Sequence, residues 1–167
     1  MMPRSMKLLG HATLMPALAA ALLLASPSQA QRSGPFANFN GSWAGGGTLV
    51  LSSGVRERIR CRARYAVDGG GTNLRLDLRC ASDSYRFELT ASAAHTGDEI
   101  SGTWSESSRG AGGTLAGSAS GGRINIRATG QTFSALLTMS TTPSRQSITI
   151  QSPGSELSSI SISLSKG

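Results

Sequence analysis

The chain has 167 residues, 38% hydrophobic and 15% charged, with a formal net charge of +7. That is the size of one ordinary domain. Two cysteines, and no apolar run beyond one near the start, exclude large multidomain enzymes, clustered-cysteine zinc fingers and polytopic membrane proteins.

The first thirty residues differ from the rest. Arg4 and Lys7 precede a Leu- and Ala-dominated stretch from Leu8 to Ala25, and Ser26-Pro27-Ser28-Gln29-Ala30 follows with small residues at −3 and −1. This pattern predicts a secretory signal peptide, residues 1–30, cleaved after Ala30. His11, Thr13 and Pro16 leave the stretch short of the ~20 apolar residues of a spanning helix. Residues 31–40 read as a flexible N-terminal segment and 41–167 as a single β-barrel domain. The expected mature chain of 137 residues holds 14 basic and 9 acidic residues, and 13 of the 14 are arginines. The expected location is periplasmic or secreted, where Cys61 and Cys80 read as a disulfide.

After a first strand from Trp43 to Leu51, alternation with period two dominates. Between positions 55 and 67, Val55, Glu57, Ile59, Cys61, Ala63, Tyr65 and Val67 alternate with Arg56, Arg58, Arg60, Arg62, Arg64 and Ala66. One buried face and one wet face of a strand produce this pattern. Leu74, Leu76, Leu78 and Cys80 then alternate with Asn73, Arg75, Asp77 and Arg79 beyond the turn Asp68-Gly69-Gly70-Gly71-Thr72. Pairing Cys61 with Cys80 also aligns Ala63 with Leu78, Tyr65 with Leu76 and Val67 with Leu74. Counted from a hydrogen-bonded closing pair at 68:73, the pair 61:80 is non-hydrogen-bonded, with Cα atoms ~4.5 Å apart and within disulfide reach.

The alternation continues through Tyr85, Phe87, Leu89, Ala91 and Ala93, and through Ile100, Gly102 and Trp104 after the turn 95–98. A Gly-rich strand around Leu115 follows. Next come Ile124, Ile126 and Ala128; Phe133, Ala135, Leu137 and Met139; Ile148 and Ile150; and Ile160, Ile162 and Leu164. No segment has a helical period, and the connections are too short for crossover helices. The fold class expected is all-β: an antiparallel up-and-down meander of about 8–10 strands closed into a barrel, with a β-sandwich as the alternative. Phe39-Asn40-Gly41-Ser42-Trp43 followed by Gly46-Gly47-Thr48-Leu49 is echoed by Ile100-Ser101-Gly102-Thr103-Trp104 followed by Gly112-Gly113-Thr114-Leu115. Either duplication of a strand-pair unit or chance produces such an echo.

Gly41-Ser42-Trp43 resembles the opening motif of the calycin barrels, which include lipocalins, fatty-acid-binding proteins and avidins. The resemblance implies an up-and-down barrel with Trp43 plugging one end and a ligand entering at the other. No counterpart of the lipocalin Arg that stacks on that Trp is assignable. The stretch from Gly41 to Trp104, with Arg56-Glu57-Arg58-Ile59-Arg60-Cys61 and Cys80-Ala81-Ser82-Asp83-Ser84-Tyr85-Arg86-Phe87, is similar to a group of small exported alphaproteobacterial proteins. That resemblance implies a compartment and no activity.

Two candidate binding sites emerge. Arg56, Arg58, Arg60, Arg62, Arg64, Arg75 and Arg79 share a wet face, with Asp77 opposite Arg64 and Asp83 opposite Arg58 as the acids expected there. Guanidinium forks suit carboxylate, phosphate or sulfate, so this face either docks an anionic envelope polymer, a lipid head group or, least expected, nucleic acid, or is a solvated, edge-protecting outer surface. The second candidate is the interior, toward which Tyr65, Tyr85, Phe87, Trp104 and Met139 point. Small inward residues such as Ala63, Ala91, Gly102 and Ala128 leave it either hollow for a small apolar ligand or narrow and filled. Glu57 is an acid on the inward row, either at the rim or beside an interior cation.

Chemistry finds little support. His95, beside Asp98 and Glu99, is the single histidine past the leader, and no serine sits in a Gly-x-Ser-x-Gly elbow. The expectation is no enzyme, no cofactor and no metal, with a hydrolase as a third reading. Nucleic acid is not expected as a partner, since no exposed aromatic series is available to stack bases. Stable membrane insertion is not expected either, because eight aromatic residues are too few for two girdles. The reading is a monomeric, non-enzymatic binding module; the alternative is a structural or protease-inhibitor-like envelope protein acting through a protein partner.

Overall fold

The computed structural model describes residues 33–132 and 134–167. The leader, its cleavage point at Ala30 and the inward placing of Phe133 lie outside the described residues. Among the described residues ten strands follow one another: β1 (Gly41–Leu51), β2 (Arg56–Asp68), β3 (Asn73–Ala81), β4 (Arg86–Thr96), β5 (Glu99–Glu106), β6 (Ala111–Ser120), β7 (Arg123–Gly130), β8 (Ser134–Thr141), β9 (Arg145–Gln151) and β10 (Leu157–Lys166). Each pairs antiparallel with its sequence neighbour, and β1 pairs with β10 to close a barrel. Closure gives every strand two partners and removes the exposed edges that a sandwich would leave. The barrel, not the sandwich, is the fold.

The expected register of the β2–β3 hairpin is the observed one. Cys61 faces Cys80, Ala63 faces Leu78, Tyr65 faces Leu76 and Asp68 faces Asn73. The two cysteines are joined, with Cα atoms 4.1 Å apart, as a narrow non-hydrogen-bonded pair allows. The turn uses Gly69, Gly70 and Gly71, all at positive φ, where a side chain would clash with its own backbone. The ladder ends at Arg60–Ala81. Arg58 therefore does not face Asp83; its ladder partner is Thr48 of β1, because the chain leaves the sheet after Ala81.

Glycine is also required inside strands that approach closely. A Cβ added at Gly47 would lie 1.7 Å from the Ser161 carbonyl oxygen, and one at Gly113 would lie 1.8 Å from that of Thr129. Both obstacles are backbone, so β1 and β6 can coil against their neighbours only without a side chain there. The Gly-rich composition serves barrel curvature here.

Residues 33–40 are not a flexible tail. Phe36 and Phe39 are 1% and 2% exposed, and the segment is pinned to the β2–β3 turn by Gly34 N–H to Gly70 O (2.8 Å) and Phe36 N–H to Gly71 O (3.0 Å). Two phenylalanines three residues apart on a tight turn have one apolar place to go, and the end of the barrel supplies it. The echoed Trp motifs do not occupy equivalent places. Trp43 and Gly46 share β1, whereas Trp104 lies in β5 and Gly112 in β6.

Candidate functional site

The two ends of the barrel differ. At one end Phe36 meets Phe39 edge-on (centroids 5.9 Å), and Phe39 meets Tyr65 edge-on (5.3 Å). Trp43 Nε1–H donates to Phe39 O at 2.6 Å, and Lys166 Nζ stands 5.4 Å from the centre of the Trp43 ring. A cation from the last strand thus stacks on the first-strand Trp, although no arginine could be assigned to that place from sequence. The buried Tyr65 hydroxyl donates to Gln146 Oε1 at 2.9 Å. Burial pushes that phenol far above the usual tyrosine range, against the smaller opposing effect of Gln146. This end is closed.

The opposite end is built on the 82–85 and 107–110 turns. Tyr85 and Phe87 stack (6.1 Å, 8° between planes) and are only partly buried. The Arg109 guanidinium carbon lies 5.4 Å from the Tyr85 ring centre and 5.1 Å from that of Phe87, an attractive cation–aromatic arrangement. Glu106 holds Arg109 there. Its carboxylate, 6% exposed, accepts from the backbone N–H of Glu88 (3.0 Å), Ser108 (3.1 Å) and Arg109 (2.8 Å), and from the Ser108 hydroxyl. Burial alone would raise this carboxyl, but the Ser108 hydroxyl and the three N–H groups outweigh it and hold it below the usual range.

A carboxyl depressed on folding stabilises the protein above its unfolded pKa, and that contribution is lost as pH falls through the folded value. Glu106→Gln is therefore expected to cost about 1–3 kcal/mol at neutral pH, in urea denaturation monitored by fluorescence. The difference from the parent should vanish on acidification below the carboxylate range. A constant difference at all pH values would show that the charge plays no part.

Glu57 is a rim residue. It accepts from Ser82 Oγ (2.6 Å) and the Ser84 N–H (3.1 Å), and the Ser82 bond is the foremost cause of its lowered pKa. Hydroxyl and N–H donors, not an interior cation, satisfy it. The Tyr85 hydroxyl is raised chiefly by its hydrogen bond to Glu156.

Between the ends lies the barrel interior. Inward side chains of β3, β4, β6, β8 and β9, including Leu76, Leu78, Leu115, Leu137, Met139 and Ile150, keep water-accessible surface. An eight-stranded barrel is just wide enough for side chains to fill, and each added strand widens it. Ala63, Ala91, Ala93, Gly102, Ala128 and Ala135 share the inward rows with these larger residues, which pack against the buried core.

The sequence candidates fall as follows. Tyr65 and Trp43 belong to the closed end, Tyr85 and Phe87 to the opposite end, Trp104 is buried on β5, and Met139 lies on β8 in the half nearer the closed end. They do not converge on one pocket. Arg56, Arg58, Arg60, Arg62 and Arg64 are exposed along β2, and Arg75 and Arg79 along β3. Arg62 faces Arg79 and Arg64 faces Asp77. The face also holds Glu88 of β4, which stands opposite Arg79. Phe36, Phe39, Glu106, Arg109 and Gln146 are absent from the sequence candidates. Only the i, i+3 spacing of the two phenylalanines hinted at a packed turn.

No protein-family model matches the chain, and no curated protein matches it. The similarity to exported alphaproteobacterial proteins therefore has no family match behind it. Solved structures do share the fold. Rv2717c from M. tuberculosis superposes with a TM-score of 0.60 at 14% identity, over 80% of this chain and 93% of that one. The S-type phycobiliprotein lyase CPES from Guillardia theta gives 0.54 at 11%, over 78% of this chain and 87% of that one. The fold is a calycin-like barrel. Identities this low carry the fold and nothing finer. They do correct the expectation that the chain is not an enzyme: a protein named as a lyase is built on this barrel, so a barrel with a single histidine is no ground for excluding catalysis. The disulfide indicates a location outside the cytoplasm. Among the described residues no helix is long and apolar enough to cross a membrane.

Proposed function

We propose that this protein is an exported ligand-binding barrel, periplasmic or secreted after cleavage near Ala30, that takes a small, mainly apolar molecule into its lumen. The observation that carries this reading is the water-accessible surface on apolar side chains that point inward in a closed barrel. Such surface is covered favourably by an apolar ligand, at about 25 cal/mol per Å² removed from water. Entry is through the end bearing Tyr85, Phe87 and Arg109, since buried Phe36, Phe39 and Trp43 obstruct the other. Arg109 offers a cation at the rim to any polar group the ligand leaves outside.

The test is titration with the neutral fluorophore N-phenyl-1-naphthylamine, whose emission rises on leaving water. Saturable one-to-one binding is expected for the mature protein, with at least about a tenfold loss in Leu137→Trp and Leu115→Trp. An unfilled lumen accepts the added ring, whereas a filled core would lose about 1–3 kcal/mol to overpacking. Destabilised variants together with absent fluorophore binding would overturn the proposal.

A further inference from the structure

A groove of about 470 Å³ lies on the outside of β1–β4, over the Cys61–Cys80 bridge. Its floor is low because Ala44 of β1 and Ala81 of β3 present only methyl groups there. Its walls are Arg60 and Arg62 of β2, Arg79 of β3 and Arg86 of β4, with Glu88 as the one acid. The register explains the crowding. Arg62 stands directly opposite Arg79, Arg79 opposite Glu88, and both Arg60 and Arg86 flank Ala81. Like charges facing one another across a ladder are unfavourable, and a single carboxylate cannot offset four guanidiniums. An anion seated between them would.

The ridge continues beyond the groove. Arg56, Arg58, Arg60, Arg62 and Arg64 lie on one face of β2 and are exposed, with successive positions about 6.8 Å apart along the strand. Their row extends for about 27 Å. A single phosphate would need only the groove; a row of evenly spaced forks matches a ligand that carries anionic groups repeatedly along its length. The two exposed large apolar residues among those described, Val55 and Leu136, are not in the groove, which gives it no apolar foothold for bilayer insertion.

We infer that the Arg60–Arg62–Arg79–Arg86 groove, continued by the β2 ridge, binds a linear polyanion bearing sulfate or phosphate groups, such as an acidic polysaccharide. This site lies outside the lumen and does not depend on the lumen reading. Arginine suits it because its planar fork makes paired, charge-assisted hydrogen bonds to such groups.

The experiment measures binding of a heparin octasaccharide by calorimetry at low and at physiological salt. Arg62→Ser and Arg79→Ser are each expected to weaken binding about tenfold, a loss on the scale of one charge-assisted hydrogen bond. Affinity should fall as salt rises. Glu88→Gln removes the only acid in the groove and is expected to bind more tightly than the parent, a gain that misfolding cannot produce. Arg123→Ser with Arg145→Ser, on strands away from the groove, should bind as the parent does. Four outcomes would overturn the inference: undiminished binding in Arg62→Ser/Arg79→Ser, equal loss in the distant pair, no gain in Glu88→Gln, or binding to phosphatidylglycerol vesicles without binding to the octasaccharide.

Discussion

Replacing Phe39 with alanine is expected to destabilise the mature protein by about 3–5 kcal/mol, the range for truncating a buried aromatic side chain. Phe39 is 2% exposed and stands edge-on to both Phe36 and Tyr65. Those contacts account for the size of the effect, since aromatic pairs add to the burial of area alone. The Phe39 carbonyl, which accepts from Trp43 Nε1, survives the substitution, so the loss reports packing. Urea denaturation measures it. A second readout separates loss of the cap from general loosening. Burial raises the Tyr65 hydroxyl, so opening this end should bring one tyrosine back toward its ordinary titration range, followed by ultraviolet absorbance in the folded protein. A stability change below about 1 kcal/mol would mean that residues 33–40 do not close the barrel in solution.

Removing the disulfide by Cys61→Ala with Cys80→Ala is expected to cost about 3 kcal/mol, because a bridge across 19 residues restricts the unfolded chain by that amount. Alanine is the appropriate replacement. Both cysteines are buried, at 2% and 5% exposure, and serine would add unsatisfied hydroxyls to the loss. Glycine-rich chains have much backbone freedom to lose on folding, so the bridge matters more here than its length suggests. Chemical denaturation with and without reductant measures the effect. An unchanged midpoint would mean that the β2–β3 ladder holds its register without help.

Some features were legible because they depend on neighbours in sequence. The alternation from Ile59 to Val67 and from Leu74 to Cys80 has no helical reading, and a two-residue period leaves only one way to place the apolar face inward. The glycine turn and the matching cysteines then fixed which residue faces which, since a slip of one would turn every leucine of β3 outward. The arginine ridge followed from the same parity. What escaped were residues whose partners are remote. Nothing near Glu106 announces that three backbone N–H groups will converge on it, because one of them comes from β4. Arg86 and Glu88 joined the groove only once β4 was laid beside β3. Phe36 and Phe39 sat in a Gly-, Pro- and Asn-containing stretch that looked unstructured, since their place is supplied by the far end of β2 and the turn after it.

By itself, then, the order of amino acids decided strand identity, the inner and outer faces, the hairpin register and the bridge between positions 61 and 80, all of them short-range consequences of side-chain parity and turn chemistry. Only the tertiary structure decided that β10 returns to β1, that Phe36 and Phe39 are buried at one end, and that the other end bears Arg109 over an aromatic pair. Those depend on barrel closure, in which hydrogen bonds unite residues more than a hundred positions apart, and no local pattern of polarity encodes that meeting.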